Sequence, residues 1–193
     1  AGNAATSNAV TKFDNTLLLD GNGDWLTIPD HADWDFGTGD FAVDLWVRFK
    51  DSIQASNSYV MGRYSAVAGT WALQYNSTHG DLCWYHDNGL CYSRSWSPSA
   101  DTWYHVAVTR SGTSLRIFID GTQIGSTQSD STNYNTNKAL YIGALGSSHT
   151  SASFPGYLDE VRISKGEARW TSNFTPPTGP YTTGAAAAAV EAA

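Results

Sequence analysis

Asp159 is the residue of this sequence whose chemistry most needs explaining. In GYLDEVRISKGEARWTSNFTPPT (156–178), a period of two puts Tyr157, Asp159, Val161 and Ile163 on one face of an extended segment, and Leu158, Glu160 and Arg162 on the other. A carboxylate on an otherwise apolar face needs a metal, a cation or several amide donors. A second candidate chemistry is aromatic. Trp71, Tyr75, Trp84, Tyr85, Tyr92 and Trp96 crowd the stretch from Thr70 to Ser97. Rings exposed there would stack on the CH faces of sugars while amides and carboxylates held the hydroxyls. The competing expectation is that most of them fill a core, leaving one or two exposed. A third is redox. Cys83 and Cys91 flank a hairpin with a Asp87-Asn88-Gly89 turn. If that turn sets them across from each other on one face, they lie in disulfide range; another loop type offsets them and leaves two half-buried thiols.

Paired catalytic groups are missing from the pattern. Retaining glycosidases need two carboxylates about 5–5.5 Å apart, and a Glu-x-Asp-x-x-Glu run serves that end. Here the glutamates are Glu160, Glu167 and Glu191, and Asp159 and Glu160, as strand neighbours, point to opposite faces. The histidines (His31, His79, His86, His105, His149) show no HExxH spacing, and there is no GxSxG elbow. Catalysis is not expected.

Composition narrows the partners. The chain has 193 residues and a formal net charge of −7, with no basic patch, which argues against nucleic acid. No apolar run approaches the roughly 20 residues of a membrane span, so no membrane insertion is expected. The start, AGNAATSNAV, lacks a basic-then-apolar signal pattern. Residues 1–12 read as a linker or tail and 178–193, ending in an alanine-rich run, as a low-complexity linker; a single domain is expected over 13–177.

What must position these residues is a set of strands. FAVDLWVRF (41–49) alternates over nine residues, with Phe41, Val43, Leu45, Val47 and Phe49 on one side and Asp44, Trp46 and Arg48 on the other. Further strands are expected at LLLD, DWLTIP, SYVMGRY, TWALQYN, TWYHVAVTR, SLRIFID and ALYIGA, and Asp120-Gly121 signals a tight hairpin. Ser164 and Glu167 have capping-box spacing, which predicts one short C-terminal helical turn before Pro176-Pro177. Many short strands imply an all-β fold of two antiparallel sheets packed face to face.

LLLDGNGDWLTIPD, WDFGTGDFAVDLWVRF, TWYHVAVTRSGTSLRIFIDGTQIGS and GYLDEVRISKGEARWTSNFTPPT, in that order, resemble a laminin-G-like domain of the concanavalin A-like lectin/glucanase superfamily. The resemblance implies a jelly-roll sandwich whose usual activity is binding. It also implies a structural calcium ion held by Asp159 with main-chain carbonyls of Gly39 and Asp40, oxygen ligands suited to a hard cation. The alternative is that Asp159 accepts amide hydrogen bonds from the N-terminal segment. Asp30, Asp33 and Asp35 are further acidic candidates that read more naturally as solvated turns. Trp25, Trp46 and Trp103 sit in framework segments and are expected to pack. The ending resembles modules of bacteriophage structural and tail proteins and of secreted bacterial proteins, which implies a virion-surface or extracellular location. The expected function is non-catalytic recognition of a polysaccharide or other glycan; the alternative is a structural head or spacer that contacts only other virion or surface proteins.

Overall fold

The nine-residue alternation of FAVDLWVRF becomes strand β4 (Phe41–Phe49), the central strand on which one of two antiparallel sheets is assembled. The computed structural model describes residues 2, 4–50, 57–65, 67–87, 89–145 and 152–182. In spatial order the eight-stranded sheet runs β1 (Ala5–Ser7), β2 (Thr16–Asp20), β14 (Pro155–Lys165), β4, β9 (Trp103–Ser111), β10 (Ser114–Ile119) and β11 (Thr122–Gln123), with β12 (Gln128–Ser129) pairing β10. The six-stranded sheet runs β3 (Leu26–Ile28), β13 (Leu140–Ile142), β5 (Ser58–Gly62), β6 (Trp71–Asn76), β7 (Asp81–His86) and β8 (Leu90–Ser95). β1 lies inside the N-terminal stretch expected to be a tail.

The inward set of β4 packs with Val106, Val108, Ile117 and Leu158 of its own sheet against Val60, Leu73, Trp71, Tyr75 and Trp84 of the other. Two sheets with one apolar side each bury it most completely against one another. This is the pair of packed antiparallel sheets that the strand pattern predicts, and the jelly-roll sandwich that the resemblance implies.

Two local features depart from the sequence reading. In β14 the register shifts between Asp159 and Arg162: Leu158 pairs with Val47 and Asp159 with Trp46, then Arg162 with Asp44 and Ile163 with Val43. Glu160, at φ 51, absorbs the extra residue of this bulge. The slip moves Asp159 to the outer side with Trp46 and Arg162, while Val161 and Ile163 turn to the core. The apparent Asp on an apolar face is therefore an artefact of unbroken alternation. The expected helical turn at Ser164–Glu167 is also absent. β14 runs to Lys165, Gly166 has φ 82, and the Ser164 hydroxyl accepts from Arg169 Nε at 2.6 Å instead of capping. The helical turn among the described residues is a 3-10 turn at Ala32–Trp34.

After β14 the chain doubles back as a strap over the outer face of the eight-stranded sheet. Trp170 and Phe174 stack with centroids 4.0 Å apart, and both stand edge-on to His105. The Asp120-Gly121 turn, both residues at positive φ, gives the predicted β10–β11 hairpin. Gly121 is required there for a second reason: a Cβ would lie 1.9 Å from the Phe174 carbonyl oxygen, which accepts no such intruder where the strap crosses.

Candidate functional site: a groove between the two chain ends

The residues nominated for calcium do not assemble. Asp159 faces Trp46 while Lys165 faces Phe41. Asp159 is thus separated from the Gly39–Asp40 turn by five or more strand positions, about 17 Å at strand rise. Each nominee already has partners. Asp159 Oδ2 accepts the Lys12 and Phe13 amides at 3.2 and 3.1 Å, and Oδ1 accepts the Glu160 amide at 2.9 Å. Asp40 Oδ1 accepts the Gly112 amide at 2.7 Å, and its carbonyl the Gly166 amide at 2.8 Å.

The Gly39 carbonyl does lie in an oxygen cage, but the cage holds a guanidinium. Fully buried Arg110 donates to Gly39 O at 2.7 Å, Gly37 O at 2.8 Å, Thr132 O at 2.7 Å and Asp130 Oδ2 at 3.3 Å. A covalently tethered cation already neutralises the oxygens a hard ion would want. Likewise Asp30, still exposed, and the half-buried Asp35 are committed to another cation: both accept from buried Arg63. Among the described residues no cluster of three or more His, Cys, Asp or Glu is placed to hold a metal ion. The donor set does not fit the calcium that the resemblance implies.

The six nominated aromatics divide by strand parity. Trp71, Tyr75 and Trp84 are core residues, 1%, 3% and 0% exposed. Trp71 and Trp84 stack at 5.0 Å, and Trp84 Nε1 donates to the Tyr134 hydroxyl at 2.9 Å. Tyr92 and Trp96 are half-buried at the rim of that core, Tyr92 stacked on His86 at 4.2 Å and Trp96 edge-on to Phe49. Tyr85 alone of the six lies on the outer side of its sheet, with Tyr59 and Tyr64 for neighbours at 6.1 and 6.0 Å. Cys83 and Cys91 form a disulfide, Cα atoms 5.8 Å apart. They are not directly opposed: Cys83 faces Ser93 and Cys91 faces Tyr85, so the bond runs diagonally across one face.

An open groove of about 500 Å³ lies instead on the outer side of the eight-stranded sheet, where the two chain ends meet. Its walls are Lys12 and Phe13 from the N-terminal segment, Trp46 of β4, Trp103 opening β9, Asp120 of the hairpin turn, and Thr175–Thr178 of the strap. Each wall has a cause. Asp159 grips the Lys12 and Phe13 amides and so fixes that segment; it is a positioning residue. Lys12 Nζ sits 3.7 Å from the Trp46 ring centroid, a cation–π contact, and Phe13 meets the same ring edge-on at 6.0 Å. Asp120 Oδ1 accepts the His105 amide at 2.8 Å, which orients the carboxylate of an exposed residue. Pro176 and Pro177 hold the strap extended. Trp46 is 5% exposed, and its indole N–H has no hydrogen-bond partner.

Beside the groove a buried network anchors the strap. Arg162 forks onto Asp44 with both contacts at 3.0 Å, and the Tyr181 hydroxyl donates to Asp44 Oδ2 at 2.6 Å. His105 Nε2 lies 3.2 Å from the same oxygen. Burial works to raise the Asp44 carboxyl, but the hydrogen bonds of His105 and Arg162 and the Arg162 charge together hold it below the ordinary value. Burial and the Asp44 charge push the Tyr181 phenol up, so it stays a neutral donor.

Sequence reasoning assigned Trp46 and Trp103 to packing and passed over Lys12, Phe13 and Asp120. A signal for the last existed, since the turn that exposes Asp120 is the DG dipeptide itself. Nothing local announces that Lys12 and Pro176 meet.

The arrangement resembles solved structures at the level of fold. Domain 4 of the extracellular arabinanase of Geobacillus stearothermophilus, solved with arabinotriose, has 19% identity and TM-score 0.67, over 87% of this chain and 78% of that one. The binding domain of botulinum neurotoxin serotype D has 13% identity and TM-score 0.64, over 91% of this chain and 42% of that one. Domains LG4-5 of the mouse laminin alpha1 chain have 18% identity and TM-score 0.58, over 83% and 41%. This chain therefore spans less than half of the latter two. No curated protein matches it at a significant level. A family profile, Laminin_G_3, matches residues 20–171, most of the two sheets. The chain belongs to that family, within the concanavalin A-like lectin/glucanases superfamily.

Proposed function

We propose that this protein is a non-catalytic recognition module that binds glycan in the groove between its chain ends, as part of a secreted or virion-surface protein. The carrying observation is the groove's composition. The half-buried Trp103 and the Pro176 and Pro177 rings offer apolar surface to a sugar ring. Lys12 supplies donors and Asp120 an acceptor for its hydroxyls. Concave sites with apolar walls and a few convergent polar groups are the usual form of small-ligand sites. Asp120 is the single carboxylate lining the groove, so the pair needed for glycoside hydrolysis is not assembled there.

Two facts support the wider setting. The Cys83–Cys91 disulfide suits an oxidising compartment. Among the described residues no helix is long and apolar enough to cross a membrane. A similar fold solved with arabinotriose makes arabino-oligosaccharides a reasonable first probe. Titration of the protein with arabinotriose, xylotriose and maltotriose, read by tryptophan fluorescence, tests the proposal. Trp103→Ala should weaken binding about tenfold, or about 1.4 kcal/mol, and Asp120→Asn by less, since an amide oxygen still accepts from His105. Saturable binding that ignores both substitutions would refute the groove. The second reading, a rigid spacer, draws on the way both chain ends are tied to one sheet; it predicts no sugar response at all.

A further inference from the structure

We infer that the bulge of β14 is a double clamp that holds both walls of the groove, with Glu160 and Tyr181 as positioning residues for what the groove binds. The inference rests on the groove reading and adds to it what sets the spacing of the walls. Unbroken alternation would send the side chains of Asp159 and Glu160 to opposite faces. The extra residue at Glu160 brings both to the outer side, where each holds backbone amides of a different chain end. Asp159 Oδ2 accepts the Lys12 and Phe13 amides, which fixes the N-terminal wall. Glu160 Oε2 accepts the Tyr181 amide, just beyond the strap wall Thr175–Thr178.

The strap wall is a span fixed at two ends. At its start the Phe174 amide donates to the Gly121 carbonyl at 2.9 Å, and the Phe174 ring stacks on Trp170. At its finish Tyr181 is held three ways: by Glu160 at its amide, by Asp44 at its hydroxyl, 2.6 Å away, and by the Arg162 guanidinium 3.9 Å from its ring centroid. Pro176, Pro177 and Pro180 stiffen the span by fixing φ. A displacement at Tyr181 therefore reaches the groove instead of being absorbed by local bending.

The bulge also links the two walls. Asp159 Oδ1 accepts the Glu160 amide at 2.9 Å. One carboxylate thus holds the N-terminal wall with one oxygen and the backbone of the strap's anchor with the other. Glu160 sits at φ 51, a left-handed conformation that is costly for a residue with a Cβ and open to glycine. Glycine would serve the bulge alone more cheaply, but it would leave the Tyr181 amide without its acceptor. Re-aiming a side chain beside a binding site is a recurrent use of such bulges.

Amide hydrogen exchange and sugar binding test the clamp separately. In Glu160→Ala the Tyr181 amide should exchange about tenfold faster while Lys12 and Phe13 keep their rates. Affinity for whichever of arabinotriose, xylotriose or maltotriose the wild-type protein binds should fall about fivefold, as for one lost hydrogen bond. Glu160→Gln, whose amide oxygen still accepts, should keep both properties near wild type. Asp159→Ala should speed exchange at Lys12 and Phe13 and also at Tyr181, with core amides such as that of Val108 unmoved. A Tyr181 rate blind to Glu160→Ala or to Asp159→Ala would overturn the clamp. So would a faster Tyr181 rate without loss of sugar affinity, or equal sugar losses in the glutamine and alanine variants; in each case the groove would stand. If the wild-type protein binds none of the three sugars, the groove reading falls instead, and the exchange pattern alone decides whether the bulge clamps both chain ends.

Discussion

Asp44, on the outside of the eight-stranded sheet, is 0% exposed and has both oxygens engaged by Arg162, His105 and Tyr181. Gln74, on the outside of the six-stranded sheet, is buried to the same degree and engages nothing. The first face is covered by the protein's own strap, which brings partners with it. The second face meets no partner for its amide. Burial of a polar group is tolerated when the chain supplies the complement, and then the group is structural. Where the chain withholds the complement, as at Gln74, the amide stays unsatisfied and opposes folding. The groove lies at the margin of the covered face, where Trp46 keeps one unpartnered N–H.

The most severe way to test this contrast is Asp44→Ala. It strands the Arg162 guanidinium against the sheet and should cost about 3–5 kcal/mol of stability in urea unfolding, whereas Gln74→Leu should cost none. Equal effects would erase the distinction between the faces. Next in size, removal of the disulfide by Cys83→Ala with Cys91→Ala should cost about 2–3 kcal/mol for so short a loop. The same double substitution should leave sugar binding in the groove unchanged, because the groove lies on the other sheet.

Asp159→Ala frees the Lys12 and Phe13 amides and should cost about 1–3 kcal/mol, with weaker sugar binding in the groove by isothermal titration. Binding unchanged by Asp159→Ala would mean the N-terminal segment needs no anchor.

Acid should act in two windows. Burial lowers the His86 pKa from its ordinary 6.5, so the unfolded chain takes up a proton there first and stability falls as the pH drops below 6.5. His86→Phe should flatten that part of the melting profile. Asp44 ionises more readily folded than unfolded; its contribution is complete above the ordinary 3.8 and is lost as the pH falls below that value. The smallest effect concerns metal. With Arg110 in the oxygen cage, calcium or EDTA should leave the melting temperature unchanged, and a calcium-dependent rise would reveal an ion site elsewhere.

How much of this was legible in the residues differs by element. FAVDLWVRF and the DG turn announced β4 and the β10–β11 hairpin because alternation and positive φ are local demands, met within a few residues. The hairpin of Cys83 and Cys91 was legible for the same reason, though not its diagonal register. The site was much less so. A single inserted residue at Glu160 turned Asp159 from the core side to the outer side, and no local signal marks that bulge. Trp71, Tyr75 and Trp84 differ from Tyr85 only in which side of a strand they leave, and the bulge between Tyr59 and Met61 resets that parity on the neighbouring strand.

By itself, the sequence determined the strands, the tight turns, the acidic charge and the family, since these follow from short-range pattern and composition. Tertiary structure alone decided that Lys12, Trp46, Trp103 and Pro176 share a groove and that Arg110 fills the cage around Gly39. It also decided that Asp44 is completed and Gln74 is not. These outcomes depend on groups brought together from distant parts of the chain, and periodicity says nothing about which partners the fold will deliver.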